Sequence, residues 1–288
     1  MKMTQISKYK ALNARHNNLK QLVKDHWQRD SCESRAGKGI KDREQFFSAI
    51  DAYRYEKSPF IFEFADFKSG KNKKVLEIGL GSGSDFMQWL ITGAILYGID
   101  LTETSVQLCL ERLKLRGLSA DVRIGDAENL QFDDEFFDIV YAYGVIHHTP
   151  DTEKALREIH RVLKIGGTAK IMMYNARGLS FKYNWIMHAL IKKFEPWKSI
   201  REMVFYHNES VGTKIYTKEE VKNLFCRFRK IDIKTIVDAG DTLNFQLSDK
   251  YKDDILVKSL QRIFGFIKYF RPYIPSRLGS TMLVQAVK

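Results

Sequence analysis

A glutamate and three alternate glycines, Glu77-Ile78-Gly79-Leu80-Gly81-Ser82-Gly83, sit at the end of an apolar run that starts at Val75. A run of this kind suits a buried parallel strand. Glycines directly after it let the backbone turn sharply and let a ligand come close. A second apolar run, Ala94 to Ile99, ends on Asp100. An acid about 20 residues past the first glycine is where a βαβ nucleotide site sets a carboxylate on ribose hydroxyls. The spacing departs from the dinucleotide fingerprint G-x-G-x-x-G, whose third small residue would fall at Ser84. A pyrophosphate needs the free amides of a helix N-terminus. A ligand without phosphates allows a different loop.

Two more places carry chemistry. Phe136 to Ile146 reads as a buried strand whose end continues Tyr143-Gly144-Val145-Ile146-His147-His148. Open α/β sheets bind ligands at the carboxyl ends of their strands. Imidazole has a pKa suited to removing a hydroxyl proton, so His147 and His148 are both candidate bases, and the sequence does not separate them. A short strand, Ala120 to Ile124, runs into Gly125-Asp126-Ala127-Glu128. An acid at this strand end can accept from an exocyclic amine.

The pattern Glu77-x-Gly79-x-Gly81-x-Gly83, the spaced Asp100 and the stretch FDIVYAYGVIHHTPDTEKALREIHRVLKIGG together resemble the class I S-adenosylmethionine (SAM)-dependent methyltransferases, in their small-molecule, type 11-like bacterial branch. The resemblance covers roughly Lys73 to Asn175. It implies a Rossmann-like α/β fold, a seven-stranded, mostly parallel sheet with helices on both faces and an antiparallel last strand. It implies SAM as cofactor, S-adenosylhomocysteine as product, and no metal. By the same resemblance Glu77, Gly79, Gly81 and Gly83 hold the methionine end. Asp100 with Leu101 takes the ribose, and Asp126 with Ala127 the adenine. Tyr143 belongs to the cofactor wall, and Arg54 reaches the SAM carboxylate. The implied function is methyl transfer to a small-molecule acceptor, a hydroxyl of a sugar, lipid-linked or secondary-metabolite substrate. Two rivals stay open: an RNA methyltransferase that uses a basic surface, and a SAM-binding sensor or subunit without turnover.

Some chemistries are argued down. Base amino-methylation uses an N/D-P-P-Y/F motif after strand four, but Tyr141-Ala142-Tyr143-Gly144 has no proline. The three cysteines, Cys32, Cys109 and Cys226, are far apart and follow no metal-site spacing. The net charge of +12 is spread along the chain, which reads as a lysine-rich solvated surface, so nucleic acid is not an expected partner.

The elements that must position these residues are legible in outline. Thr102 can cap a helix running to about Arg116, with Val106, Leu110 and Leu113 on one face. Asp151-Thr152-Glu153 begins a helix with Ala155, Leu156, Ile159, Val162 and Leu163 as its core face, ending at Gly166-Gly167 before a strand from Ala169 to Tyr174. Thr217 to Glu220 reads as a capping box. Residues 1–70 are expected to form an N-terminal helical cap or lid, including a loop-like segment with Trp27 and Cys32 and a helix with Phe46, Phe47, Ile50, Tyr53 and Arg54. Residues 71–288 are expected to form the SAM-binding domain, with acceptor-site insertions at about 176–212 and 240–280.

No apolar run reaches the roughly 18–20 residues of a spanning helix. The first twenty residues have no apolar core of a secretory signal. The expected place is the cytoplasm, and the basic amphipathic stretch 251–277 suits either an anionic membrane surface at the inner face or packing on its own domain.

Overall fold

Val75 faces one side of its strand while Leu76 and Ile78 face the other, so the strand is buried on both faces. The structure, a computed structural model, describes residues 5–242 and 255–288. Helices α1 (Gln5–Arg29), α2 (Arg43–Lys57) and α3 (Ile61–Ala65) come first. Then β1 (Lys74–Ile78), α4 (Ser84–Ile91), β2 (Ile95–Asp100), α5 (Glu103–Leu115), β3 (Asp121–Ile124), β4 (Phe137–Tyr143), α6 (Thr152–Val162) and β5 (Leu163–Tyr174) alternate. Helix α7 (Leu179–Trp185), a π-helical turn (Ile186–Lys192), α8 (Ile200–His207) and α9 (Lys218–Leu224) lead to β6 (Lys230–Ile236). Helix α10 (Ile255–Phe264) and β7 (Thr281–Val287) close the chain.

The seven strands lie in the order β3-β2-β1-β4-β5-β7-β6. Strands β1 to β5 pair in parallel, and β7 runs antiparallel to both β5 and β6. This is the Rossmann-like class I methyltransferase architecture the sequence resembles. Strand order reverses between β1 and β4, and the crevice beyond their carboxyl ends is where such a sheet binds ligands. Their register puts Glu77 beside Tyr141.

Helices cover both faces. On one, Phe86 and Trp89 of α4 and Val106, Cys109 and Leu113 of α5 pack on Val75, Leu96, Ile139 and Tyr141. On the other, Ala155, Leu156, Ile159 and Val162 of α6 join Val221 of α9 and Phe225 just after it against Leu76, Val140 and Ile171. Each large apolar side chain so buried contributes about 1.5–3 kcal/mol. Helix starts are capped as the sequence suggests. Thr102 and Asp151 accept from the amides of Ser105 and Lys154, and Thr217 with Glu220 forms the full reciprocal box.

Three details differ from the sequence reading. Trp27 lies in α1, because the helix continues to Arg29. Leu110 is exposed, and the buried seam of α5 runs through Cys109 instead. Helix α6 stops at Val162, and β5 begins at Leu163, well before Ala169. The register between β4 and β5 jumps there, and Gly166 takes a φ of 80° within the irregularity, so the glycine pair bends a strand rather than ending a helix. Of the basic stretch 251–277, positions 251–254 lie outside the described residues. Among the described residues, no helix is long and apolar enough to cross a membrane.

Candidate functional site

The glycine loop leaves β1 at Gly79, which has a φ of 80°. A Cβ there would lie 2.1 Å from Val145 Cγ2, so the loop and the turn after β4 touch backbone to side chain. Gly83, at φ 79°, caps α4 in the left-handed region that favours glycine. Gly81 N donates to Asp100 Oδ2 at 3.3 Å, and Thr102 donates to Asp100 Oδ1 from its amide (2.9 Å) and hydroxyl (2.7 Å). Burial pushes the Asp100 carboxyl up, and these donors oppose the shift. The Leu80 amide adds a fourth donor to this network, and Asp100 stands on the cleft wall.

An open cleft of about 830 Å³ lies across the loop. Asp100, Leu101, Asp126, Ala127, Tyr143 and His148 line its sheet side, and Lys20, Val23 and Trp27 of α1 face them. Lys20 Nζ donates to Asp126 Oδ2 at 2.6 Å and to Glu128 Oε2 at 2.7 Å. His16 Nε2 also sits 2.7 Å from Glu128 Oε2. Asp126 Oδ1 meanwhile holds the Glu128 amide at 2.9 Å. The carboxylate expected at the adenine is therefore already shared with α1.

A second recess shares Gly79, Gly81 and Tyr143 with the cleft and adds Glu33, Arg54, Glu77 and Asp85. Glu77 is buried and its Oε2 has no hydrogen-bond partner. Burial first, and then the charge of Asp85, push its carboxyl well above the usual range. Arg54 is also buried. Its Nε and Nη2 grip Asp85 at 2.8 and 2.5 Å, while its Nη1 reaches both Glu33 oxygens at 3.1 and 3.0 Å. Tyr55 and Tyr141 donate to Asp85 at 3.1 and 2.7 Å, and the Arg54 guanidinium lies 5.0 Å from the Tyr143 ring centre.

The structure separates the two histidines. His147 is fully buried, neither ring nitrogen has a partner, and its ring packs 4.0 Å from that of Tyr174. Burial holds its imidazole far below the usual range, so it stays neutral. His148 lines the cleft, edge-on to Trp27 at 5.3 Å between ring centres. Its Nδ1 faces Ser210 Oγ (3.0 Å) and Thr213 Oγ1 (3.2 Å), and its Nε2 lies 3.3 Å from Glu209 Oε2. The Tyr174 hydroxyl donates to Glu209 at 2.9 Å. Burial opposes ionisation of Glu209, but His148 and Tyr174 outweigh it and hold the carboxyl below its usual range. The ligating atoms of His147, His148 and Glu209 fall within 4.8 Å of one another, a spread the hydrogen bonds of His148 and Glu209 already use.

Glu209, Glu33 and Lys20 escaped the sequence reading. Glu209 follows the last turn of α8, in a stretch with no helical or strand period to single it out. Glu33 and Lys20 belong to a polar, basic N-terminal stretch in which any charge looks solvated.

Comparison with known proteins adds an independent line. Residues 76–171 match the methyltransferase domain family. Phosphoethanolamine N-methyltransferase 2 of Caenorhabditis elegans is 30% identical over 206 residues, 66% of this chain and 46% of that protein. The phthiotriol/phenolphthiotriol dimycocerosates methyltransferase of Mycobacterium tuberculosis is 41% identical over 97 residues, 33% of this chain and 35% of that enzyme. The chain thus spans less than half the length of these curated relatives. Among solved structures, the [4+2]-cyclase SpnF superposes with a TM-score of 0.51 at 17% identity, covering 83% of this chain and 81% of that one. The YcgJ protein of Bacillus subtilis does so at 0.50 and 19%, covering 78% and 96%. These last two likenesses speak to fold alone, and the cyclase shows that the fold does not dictate the reaction. Glycine loop, spaced acid, strand order and matched family model agree: residues 76–171 carry a methyltransferase domain, set in a Rossmann-like sheet.

Proposed function

We propose that the protein transfers a methyl group from SAM to a small-molecule acceptor hydroxyl, on a sugar, lipid-linked or secondary-metabolite substrate. The observation that carries this reading is His148, backed by Glu209, on the wall of the same cleft as Asp100 and the glycine loop.

The residues present fit SAM. The unpartnered Glu77 Oε2 suits an ammonium, and the Asp100 carboxyl on the cleft wall suits a ribose hydroxyl. Glu33, Glu77 and Asp85 share the recess with a single arginine, Arg54, an acidic excess that suits a cationic ligand. In this reading Gly79, Gly81 and Gly83 carry the backbone past the methionine end, and Arg54 faces its carboxylate. Leu101 and Tyr143 flank the nucleoside, and Asp126 with Ala127 borders the adenine. Bound there, SAM supplies a methyl carbon on a sulfonium for in-line displacement.

The chain's own work is alignment and exclusion of water, with α1 over the cleft. In this reading Nδ1 of His148 takes the acceptor proton once it leaves the Ser210 and Thr213 hydroxyls, and Glu209 faces the Nε2–H of the imidazolium that results. His147, neutral in the core, supports the turn that carries His148.

A second reading concerns place. Ile255, Tyr269 and Tyr273 are 81%, 72% and 81% exposed, and the stretch 255–273 carries Lys258, Arg262, Lys268 and Arg271 with no acid. An apolar face with basic flanks suits an anionic membrane surface, and supports a cytoplasmic protein touching the inner leaflet. Flotation with phosphatidylglycerol vesicles, but not with phosphatidylcholine vesicles, would bear this out. No flotation with either would end it.

The main reading is tested with methyl-labelled SAM and host extract, partitioned into lipid, RNA, protein and water-soluble fractions. Label in the lipid or small-molecule fraction supports it, and label in RNA alone overturns it. Asp100→Ala should weaken S-adenosylhomocysteine binding about 10- to 100-fold by calorimetry. Undiminished binding by that variant would refute the assignment of the cleft.

A further inference from the structure

Arg54 presents two edges, and they are not equivalent. The Nε/Nη2 edge is locked on Asp85, whose side chain is 2% exposed and pinned by Tyr55 and Tyr141. The Nη1 side holds Glu33, whose side chain is 20% exposed. Glu33 lies on the connection between α1 and α2 and takes a φ of 62°, a left-handed conformation that costs a non-glycine residue about 1–2 kcal/mol. Its side chain caps no helix amide. The Arg54 bond is the feature that explains why a glutamate is held there. The same recess contains Glu77 with its unpartnered Oε2. An arginine edge and the unpartnered Glu77 oxygen in one recess supply what an amino-acid end needs, a donor for its carboxylate and an acceptor for its ammonium. At the arginine pole the partner is Glu33.

We propose that Glu33 is an internal stand-in for the α-carboxylate of the amino-acid end of the nucleoside ligand, competing with it for the Nη1 side of Arg54. The inference rests on the SAM reading above and says how that site discriminates. Exchange keeps Arg54 paired throughout: Asp85 never leaves, and one carboxylate replaces another on the exposed side. A buried guanidinium therefore never stands half-satisfied, which would be costly. A ligand with a carboxylate must displace Glu33, and one without it leaves the Glu33–Arg54 pair untouched. Glu33 then tunes affinity for amino-acid-bearing nucleosides separately from the adenosine half. Freed from Arg54, the 31–37 connection no longer has a reason to hold the strained residue, so ligand exchange also loosens the link between α1 and α2.

The test is calorimetric titration of the full chain with S-adenosylhomocysteine and with 5′-methylthioadenosine, which keeps the thioether and adenosine but lacks the amino-acid end. Glu33→Gln replaces a charge-assisted bond to Arg54 by a neutral one, so it should bind S-adenosylhomocysteine about fivefold tighter. Its affinity for 5′-methylthioadenosine should not change. Glu33→Ala should shift the same way, which guards against a peculiarity of one variant. Equal tightening toward both nucleosides would overturn the proposal, because Glu33 would then act on the cleft as a whole. Unchanged or weaker S-adenosylhomocysteine binding would also overturn it, because carboxylate and Glu33 would then share Arg54. Failure of the unaltered protein to bind either nucleoside removes the SAM reading itself, and this inference with it.

Discussion

His148 Nε2 stands 3.3 Å from Glu209 Oε2, and this pair ties the turn after β4 to the segment after α8. One partner lies at the sheet's switch point and the other on the connection between β5 and β6. His148→Ala should lower kcat about 10²- to 10⁴-fold, the span of a lost general base. Glu209→Gln should lower kcat about tenfold and leave the Kd for S-adenosylhomocysteine unchanged. Glu209→Asp should recover part of the loss. A kcat that follows bound cofactor, rather than falling alone, would reassign Glu209 to binding.

Glu77 trades stability for its place in the recess. Its folded-state pKa is raised by burial, so the sign runs as for a buried acid held against ionisation. Below about pH 4 both folded and unfolded chains keep the proton and nothing is lost. As the pH rises past that point the unfolded chain ionises freely and the native state does not, so stability falls. Glu77→Gln should therefore raise Tm by about 2–4 °C at neutral pH, the shift that ~1 kcal/mol makes in a domain of this size. The gain should vanish at pH 4, and S-adenosylhomocysteine binding should weaken. Equal gains at both pH values would count against the charge as the cause.

Gly79 meets two constraints at once, a φ of 80° and the methyl of Val145. Gly79→Ala should cost about 1–3 kcal/mol in chemical denaturation. Adding Val145→Ala should return part of that loss but not all, because shortening the valine relieves the contact and leaves the backbone strain. Full recovery would mean that the φ costs nothing here.

Lys20 joins α1 to Asp126 and to the fully buried Glu128. Lys20→Met should destabilise the protein by about 1–3 kcal/mol, since the buried carboxylate loses a charged donor. Limited proteolysis should then cut within α1 sooner than in the unaltered protein. Unchanged cleavage would show that the helix is held by its apolar face alone.

The parts of this fold that the sequence discloses are those made by local pattern. The apolar run at Val75 to Ile78, the glycine spacing and the Thr217–Glu220 box each need only a few neighbouring residues, and each stands in the structure as read. The last strand, Thr281–Val287, runs antiparallel as the resemblance implies. What stayed hidden depends on distant partners. Glu209 lies about 60 residues from His148, and Glu33 about 20 from Arg54, with no period linking either pair. The sequence offered His147 and His148 together because neighbours on a tight turn look alike until burial distinguishes them. The early start of β5 was obscured by Gly166 and Gly167, which read as a helix stop and act as a bend within the strand.

The position of β7 between β5 and β6 has a bearing on the order in which the molecule can be built. Strand β6 leaves the ribosome with β7 still unmade, yet β7 is its hydrogen-bonded neighbour across Lys230–Ile236. The five parallel strands can assemble as the chain emerges. The edge that β5 keeps for β7 must wait until Thr281–Val287 have been made. Until then β5 and β6 each offer an unpaired row of amides and carbonyls, and the nascent protein is most exposed to wrong pairing in the interval between the synthesis of β6 and that of β7.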